Sequence, residues 1–289
     1  MNIFENISEI LCSVSTEGLF DYLFYLTGFT LLAIWLHDTS FGMKALEKSR
    51  LRRNNMPAYL PLVMFFAIFL GIDLVATSAT LLSGNLQNSQ KVLIDEIVNI
   101  IARLVSIGVI VYIIKICFVR GIKGFGLNIK TIPKDFAFAL IYLIAILPLM
   151  NLLLGAIVFL NELIFSPDYQ IPTHQELQTL AENSNITIRF AIAVGTIVVV
   201  PFFEEMLFRG LLQTMIRSNL YFYKYAAWIA ILMTSVFFAI THANPSHWPV
   251  LFVLSMAIGY SYEKSGSLFR PVFMHMLFNG SAIILTWIQ

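Results

Sequence analysis

The stretch PFFEEMLFRG, residues 201–210, sets Glu204, Glu205 and Arg209 directly after the oily run AIAVGTIVVVPFF. On a helix, residues four apart stack one turn above one another. Glu205 and Arg209 therefore form an acid-before-base pair, and Glu204 points about a quarter-turn (~100°) away. Pro201 lacks a backbone donor and is expected to bend the helix open beside them. The same spacing recurs at Phe238 and His242 in FFAITH, and at His275 and Asn279 in HMLFN. Carboxylate, imidazole and carboxamide groups can serve hydrolysis, proton relay or buried structural pairing. Singly, an intramembrane histidine or a Glu–Arg pair is more often structural. Six such groups on apolar helices with little other charge favour chemistry.

What positions them follows from composition. The chain has 289 residues, 58% hydrophobic and 12% charged, with 25 Phe and a mean hydropathy of +0.79. A soluble domain carries about 25% charged residues, so half that amount points to lipid as the solvent. A crossing helix needs about 20 mostly apolar residues. Eight spans are expected, near 19–36, 57–83, 95–119, 135–165, 188–217, 225–243, 249–263 and 268–288. Fourteen Lys and Arg fall in alternate loops and only Lys91 in the opposite set, with Arg103, Arg189 and Arg209 inside spans. The positive-inside rule then places both termini away from the cytoplasm. The expected fold is all-α: a polytopic membrane protein of about eight transmembrane helices forming one domain over 1–289. The net charge of +1 gives no reason to expect a nucleic-acid partner.

The termini and cysteines add little. The first residues hold three Glu and no Lys or Arg, unlike a secretory signal. Ile3, Phe4, Ile7, Ile10, Leu11 and Val14 recur at helical spacing and suggest an interfacial amphipathic helix. The C-terminal LTWIQ carries no prenylation cysteine. Cys12 and Cys117 form no metal or redox motif and are expected to be packing residues.

Charge within a span costs about 2.5–3.5 kcal/mol on insertion scales, so the few charged residues there are informative. Asp73 and Arg103, on neighbouring spans, are expected to form a buried ion pair or a snorkelling arginine. Glu204 precedes the turn at 218–225 by about 14 residues and His242 follows it by about 17, which places them within roughly one helical turn of each other in depth. His275 and Asn279 reach overlapping depths on the last span. His37, Asp38, His174, Asn244 and His247 are expected to be solvated or interfacial. Glu162, Asp168, Glu176 and Glu182 make the loop before span 5 acidic.

At these residues the sequence resembles the CPBP or Abi intramembrane proteases, which include the Rce1-type CAAX endopeptidases. EExxxR stands as Glu204-Glu205-Met-Leu-Phe-Arg209, FxxxH as Phe238-Ala-Ile-Thr-His242 and HxxxN as His275-Met-Leu-Phe-Asn279. Each motif is short, and the ordered set of three is specific. It covers a catalytic core over about 188–282. The resemblance implies a glutamate-dependent endopeptidase acting on a peptide or membrane-protein substrate within the lipid bilayer. Glu204 would be the base that activates water, with His242 holding and polarising it. His275 and Asn279 would stabilise the oxyanion, and Glu205 and Arg209 would hold the helix geometry.

The residue types agree with that assignment. A carboxylate in a low-dielectric cavity is a stronger base than in water, and oxyanion donors commonly matter by about 3–4 kcal/mol each. No Ser or Cys nucleophile stands in a recognisable elbow, which favours direct attack by water. Zinc is the open alternative, since two carboxylates and two histidines are zinc-type ligands. HExxH and helix-spaced His–His pairs are both absent, and an amide is a weak zinc ligand. The expectation is therefore no metal and no other cofactor. Two other functions fit parts of the pattern: a proton- or ion-coupled transporter, and a non-catalytic immunity or binding scaffold of the same fold. A bacterial plasma membrane is the expected location.

Overall fold

In lipid a chain satisfies its backbone N–H and C=O groups within its own helices. The computed structural model describes residues 16–84, 86–164 and 173–288, and its apolar runs are helical throughout. In chain order the helices longer than five residues are α1 (Thr16–Asp38), α2 (Leu60–Leu82), α3 (Asn88–Cys117), α4 (Ile132–Ile164), α5 (Gln175–Glu182), α6 (Ile186–Asn219), α7 (Ala226–Ile240), α8 (Trp248–Ser265) and α9 (Phe269–Ile288). The described residues contain no strand, only a single bridge between Asn54 and Phe118. The amphipathic helix expected over residues 3–14, Cys12 and Asp168 lie outside the described residues.

Each expected span corresponds to one helix, and α5 is an additional short polar one. Five helices are long and apolar enough to cross a membrane: α2, α3, α4 with the turn before it, α6 and α9. Only 11–33% of their apolar windows is buried within the protein. Side chains such as Leu70, Leu74, Ile101 and Val105 point outward instead. An apolar exterior of this kind is a lipid-facing surface, and the chain is an all-α polytopic membrane protein.

Helix α6 is central, contacting α2, α3, α7, α8 and α9. Its Phe203, Met206, Leu207, Phe208 and Leu211 pack with Phe65 of α2, Ile110 and Ile114 of α3 and Phe238 of α7. Gly210 allows Phe125 to lie directly on α6, where a Cβ would fall 1.9 Å from the Phe125 ring. Helix α4 closes the other side through Ala139, Leu143 and Met150, packed on Leu254 and Ile258 of α8 and Met274 of α9.

A polar seam joins α6 to α8. Arg209 donates to the Ser255 Oγ at 2.8 Å and to its carbonyl at 3.2 Å. One turn on, Gln213 donates to the Gly259 carbonyl and to Glu263, each at 3.1 Å. The small residues Ser255 and Gly259 permit this close approach. A Cβ on Gly259 would sit 2.9 Å from Gln213 Oε1. The seam ends at Glu263, approached by Arg52 at 3.9 Å and Arg217 at 4.0 Å. Arg270 pairs with the buried Asp135 at 3.0 Å. Arg270, counted as a loop charge from sequence, is therefore buried in the first turn of α9, and Arg52 stays in the loop between α1 and α2 with its side chain largely buried.

The expected Asp73–Arg103 pair does not form. Asp73 is exposed on α2, and Arg103 donates to the Asn99 carbonyl and side chain at 3.2 and 3.0 Å. The two residues lie on adjacent helices but on different faces, which span order alone does not specify.

Candidate active site

The two adjacent glutamates have opposite surroundings. Glu205 is fully buried and ion-paired, although its Oε2 has no well-formed hydrogen bond. Arg209 lies against it with Nη1 at 3.2 Å and Nε at 3.1 Å, and His275 Nδ1 is 2.8 Å from its Oε1. Glu204, a quarter-turn away, keeps 19% of its side chain exposed, and its Oε2 is buried without a protein hydrogen-bond partner. The nearest cationic or imidazole atom is His275 Nε2 at 4.0 Å, too far for a direct hydrogen bond. The expected stacking of Glu205 on Arg209 is present, and it leaves Glu204 free.

The imidazoles are oriented by what holds Nδ1. A carboxylate only accepts, so His275 donates Nδ1–H to Glu205 and turns Nε2 toward Glu204. A carbonyl likewise only accepts, so His242 donates Nδ1–H to the Phe238 carbonyl at 2.8 Å and leaves Nε2 free. Trp248 Nε1 donates to the His242 carbonyl at 2.8 Å and fixes the turn after α7. Phe238 unites the cluster. Its ring centroid lies 4.8 Å from that of His242 and 5.9 Å from that of His275, with the Arg209 guanidinium 4.9 Å away.

Asn279 is placed by a backbone irregularity in α6. Residues Gly195–Val199 form a π-helical turn, in which the Val200 N–H reaches back five residues to the Gly195 carbonyl. The same register would pair residue 201 with the Thr196 carbonyl, but Pro201 has no N–H. Asn279 Nδ2 donates to that carbonyl instead, at 3.0 Å. This identifies the amide nitrogen, because the partner is an acceptor, and it leaves Nδ2 one further hydrogen. A second π-helical segment, Met206–Gln213, follows. Such turns inside α-helices recur at functional sites.

The site extends beyond the residues singled out from sequence. Helix α5 packs Leu177 and Leu180 on Ile188 and Ile192 of α6 and Ile283 of α9, and so carries its N-terminus over the cluster. His174, expected to be solvated or interfacial, is half-exposed, and its ring also stacks on that of His247 at 6.0 Å and lies 6.4 Å from that of His242. Its Nδ1 bonds Glu176. That hydrogen bond holds the His174 imidazole above the usual histidine range; burial opposes the shift, and the charges of Glu176 and then Glu204 add to it. The same bond holds Glu176 below the usual carboxylate range. Beside this group a cavity of about 320 Å³ is lined by Asp95, Glu96 and Arg103 of α3, Glu176 of α5, and Thr196 of α6. Sequence reasoning missed Thr196, His174, Glu176, Ser255 and Glu263. Only the i, i+2 pairing of His174 with Glu176, and polar residues on apolar α8, could have marked any of them. Among the described residues no three His, Cys, Asp or Glu side chains are arranged to hold a metal ion.

Residues 186–281, which span α6 to most of α9, match the family model described as type II CAAX prenyl endopeptidase Rce1-like. An uncharacterised 24.3 kDa protein of Escherichia coli is 25% identical over 124 residues, 42% of this chain and 56% of that protein. The chain thus spans little more than half the length of that relative. No solved structure matches the chain. The matched segment contains EExxxR, FxxxH and HxxxN in order, and residues 186–281 of this chain are similar to the Rce1-type family over that length.

Proposed function

We propose that the chain is an intramembrane endopeptidase in which Glu204 activates water against a peptide bond of a membrane-associated protein or peptide. The observation that carries this reading is the buried, unpartnered Oε2 of Glu204 facing His275 Nε2 at 4.0 Å. A water within hydrogen-bond distance of both atoms, about 2.8 Å from each, fits that separation. Glu204 takes one proton as the water oxygen attacks the carbonyl carbon. His242, fixed through Nδ1, offers its Nε2 lone pair to the water. Asn279 offers its second amide hydrogen to the developing oxyanion. His275 adds a donor at Nε2 when doubly protonated, its Nδ1–H remaining on Glu205. Glu205 and Arg209 hold His275 and α6 in place without touching the substrate.

The adjoining cavity of about 320 Å³ is at the lower end of ligand-site volumes and suits one or two substrate side chains. The family described as CAAX prenyl endopeptidases suggests a lipidated peptide tail as one substrate to try, and a bacterial plasma membrane is the proposed location. The test is to purify wild type and Glu204→Gln in detergent and present each with a membrane-proteome peptide library, prenylated and plain, with and without a strong chelator. Cleavage by wild type alone, unaffected by chelation, is the expected result. Equal cleavage by both proteins, or loss of wild-type activity on chelation, refutes the glutamate mechanism.

A further inference from the structure

Hydrolysis of an amide also requires an acid. The departing amine cannot leave as an anion, so a proton must reach its nitrogen as the C–N bond breaks. Among the residues assigned above, Glu204 holds the water's proton after attack and is the competing donor. Glu205 is ion-paired with Arg209 and bonded to His275, His242 Nδ1–H is committed to a carbonyl, and Asn279 does not ionise. A further imidazole, that of His174, stands beside His242, and it lies outside the segment that carries the three motifs.

Resting on the hydrolase reading, we infer that His174, held by Glu176, is the general acid that protonates the leaving amine. The argument begins with placement. Helix α5 is docked by Leu177 and Leu180, so His174, the residue just before it, sits beside His242 and His247. Orientation follows from chemistry. Glu176 accepts Nδ1–H, so the proton available for transfer is on Nε2 of the doubly protonated ring. Four groups face this ring: Glu176 of α5, Glu204 of α6, His242 after α7 and His247 before α8. The two carboxylates favour the imidazolium, and 48% of the His174 side chain remains exposed for exchange with solvent.

The proton balance closes within the site. Water gives one proton to Glu204 and its oxygen to the carbonyl carbon. As the tetrahedral intermediate collapses, the C–N electron pair goes to nitrogen, which takes the His174 Nε2 proton. Glu204 then returns its proton to His174 Nε2, and both groups are restored.

The test uses the full chain in detergent, with wild type, His174→Ala, His174→Gln, Glu176→Gln and Glu204→Gln. Two substrates are compared. One is the quenched peptide best cleaved in the library screen. The other is its acyl segment ending in a p-nitrophenyl ester, whose phenolate leaves without a proton. We expect His174→Ala to lower peptide kcat by about 10²–10⁴ and to leave ester kcat within about threefold of wild type. Glu176→Gln removes the bond and charge that keep the imidazolium at higher pH, so the alkaline limb of peptide kcat moves to lower pH. Equal loss on both substrates marks a structural role and overturns the inference. So does unchanged peptide kcat with an unmoved alkaline limb. If the alanine variant loses its monodisperse gel-filtration peak, His174→Gln carries the same comparison. Glu204→Gln separates the two levels. Its loss of both activities sustains the hydrolase reading even when His174 proves dispensable, whereas its full activity ends that reading and this one together.

Discussion

Adjacent glutamates on one helix differ here because α6 turns them to different neighbours. Glu204→Gln removes the proposed base while keeping the shape, so kcat should fall by about 10²–10⁴ with the unfolding temperature unchanged. Glu205→Gln acts differently. It leaves the fully buried Arg209 facing a neutral amide, and breaking a buried pair of this kind costs about 3–5 kcal/mol. Thermal unfolding in detergent should drop markedly for Glu205→Gln and stay level for Glu204→Gln. The reverse order would exchange the roles assigned to the two residues.

At the scale of the element, α6 departs from regular helix on both sides of Glu204 and Glu205. Pro201 leaves the Thr196 carbonyl without a backbone donor, and Asn279 of α9 takes that place. Pro201→Ala restores an N–H that competes with Asn279. Because alanine suits a helix interior better than proline, stability should hold or rise. Activity should nevertheless fall by up to about 10²–10³, the loss that removal of one oxyanion donor commonly causes. A variant with wild-type kcat would show that the Thr196 bond does not position Asn279. The π-helical register is not visible in the residue pattern, because apolar residues fill every face of α6 near it.

At the scale of the molecule, the apolar outer faces of α2, α3 and α4 place the bundle in lipid, and the α6–α8 seam gathers polar groups in its interior. The loop charges imply that residues 44–53 face the cytoplasm and that the α2–α3 turn faces away. In a variant lacking Cys12 and Cys117, a cysteine at Lys48 should resist an impermeant maleimide added outside intact cells. A cysteine at Gln87 should react with it. Labelling of both positions would refute this orientation.

Composition and periodicity alone determined the solvent, the helical class and the approximate limits of all eight apolar helices, because lipid allows a spanning chain few other solutions. The i, i+4 pairs at Glu205 and Arg209 and at His275 and Asn279 were also legible, since helical spacing is local geometry. Tertiary structure alone decided which partner each side chain meets. It turned Arg103 away from Asp73, seated Asn279 on Thr196 and drew Arg52 and Arg270 into buried pairs. It also set His174 beside His242. Those outcomes depend on helix rotation and docking, which arise from packing among residues far apart in the chain.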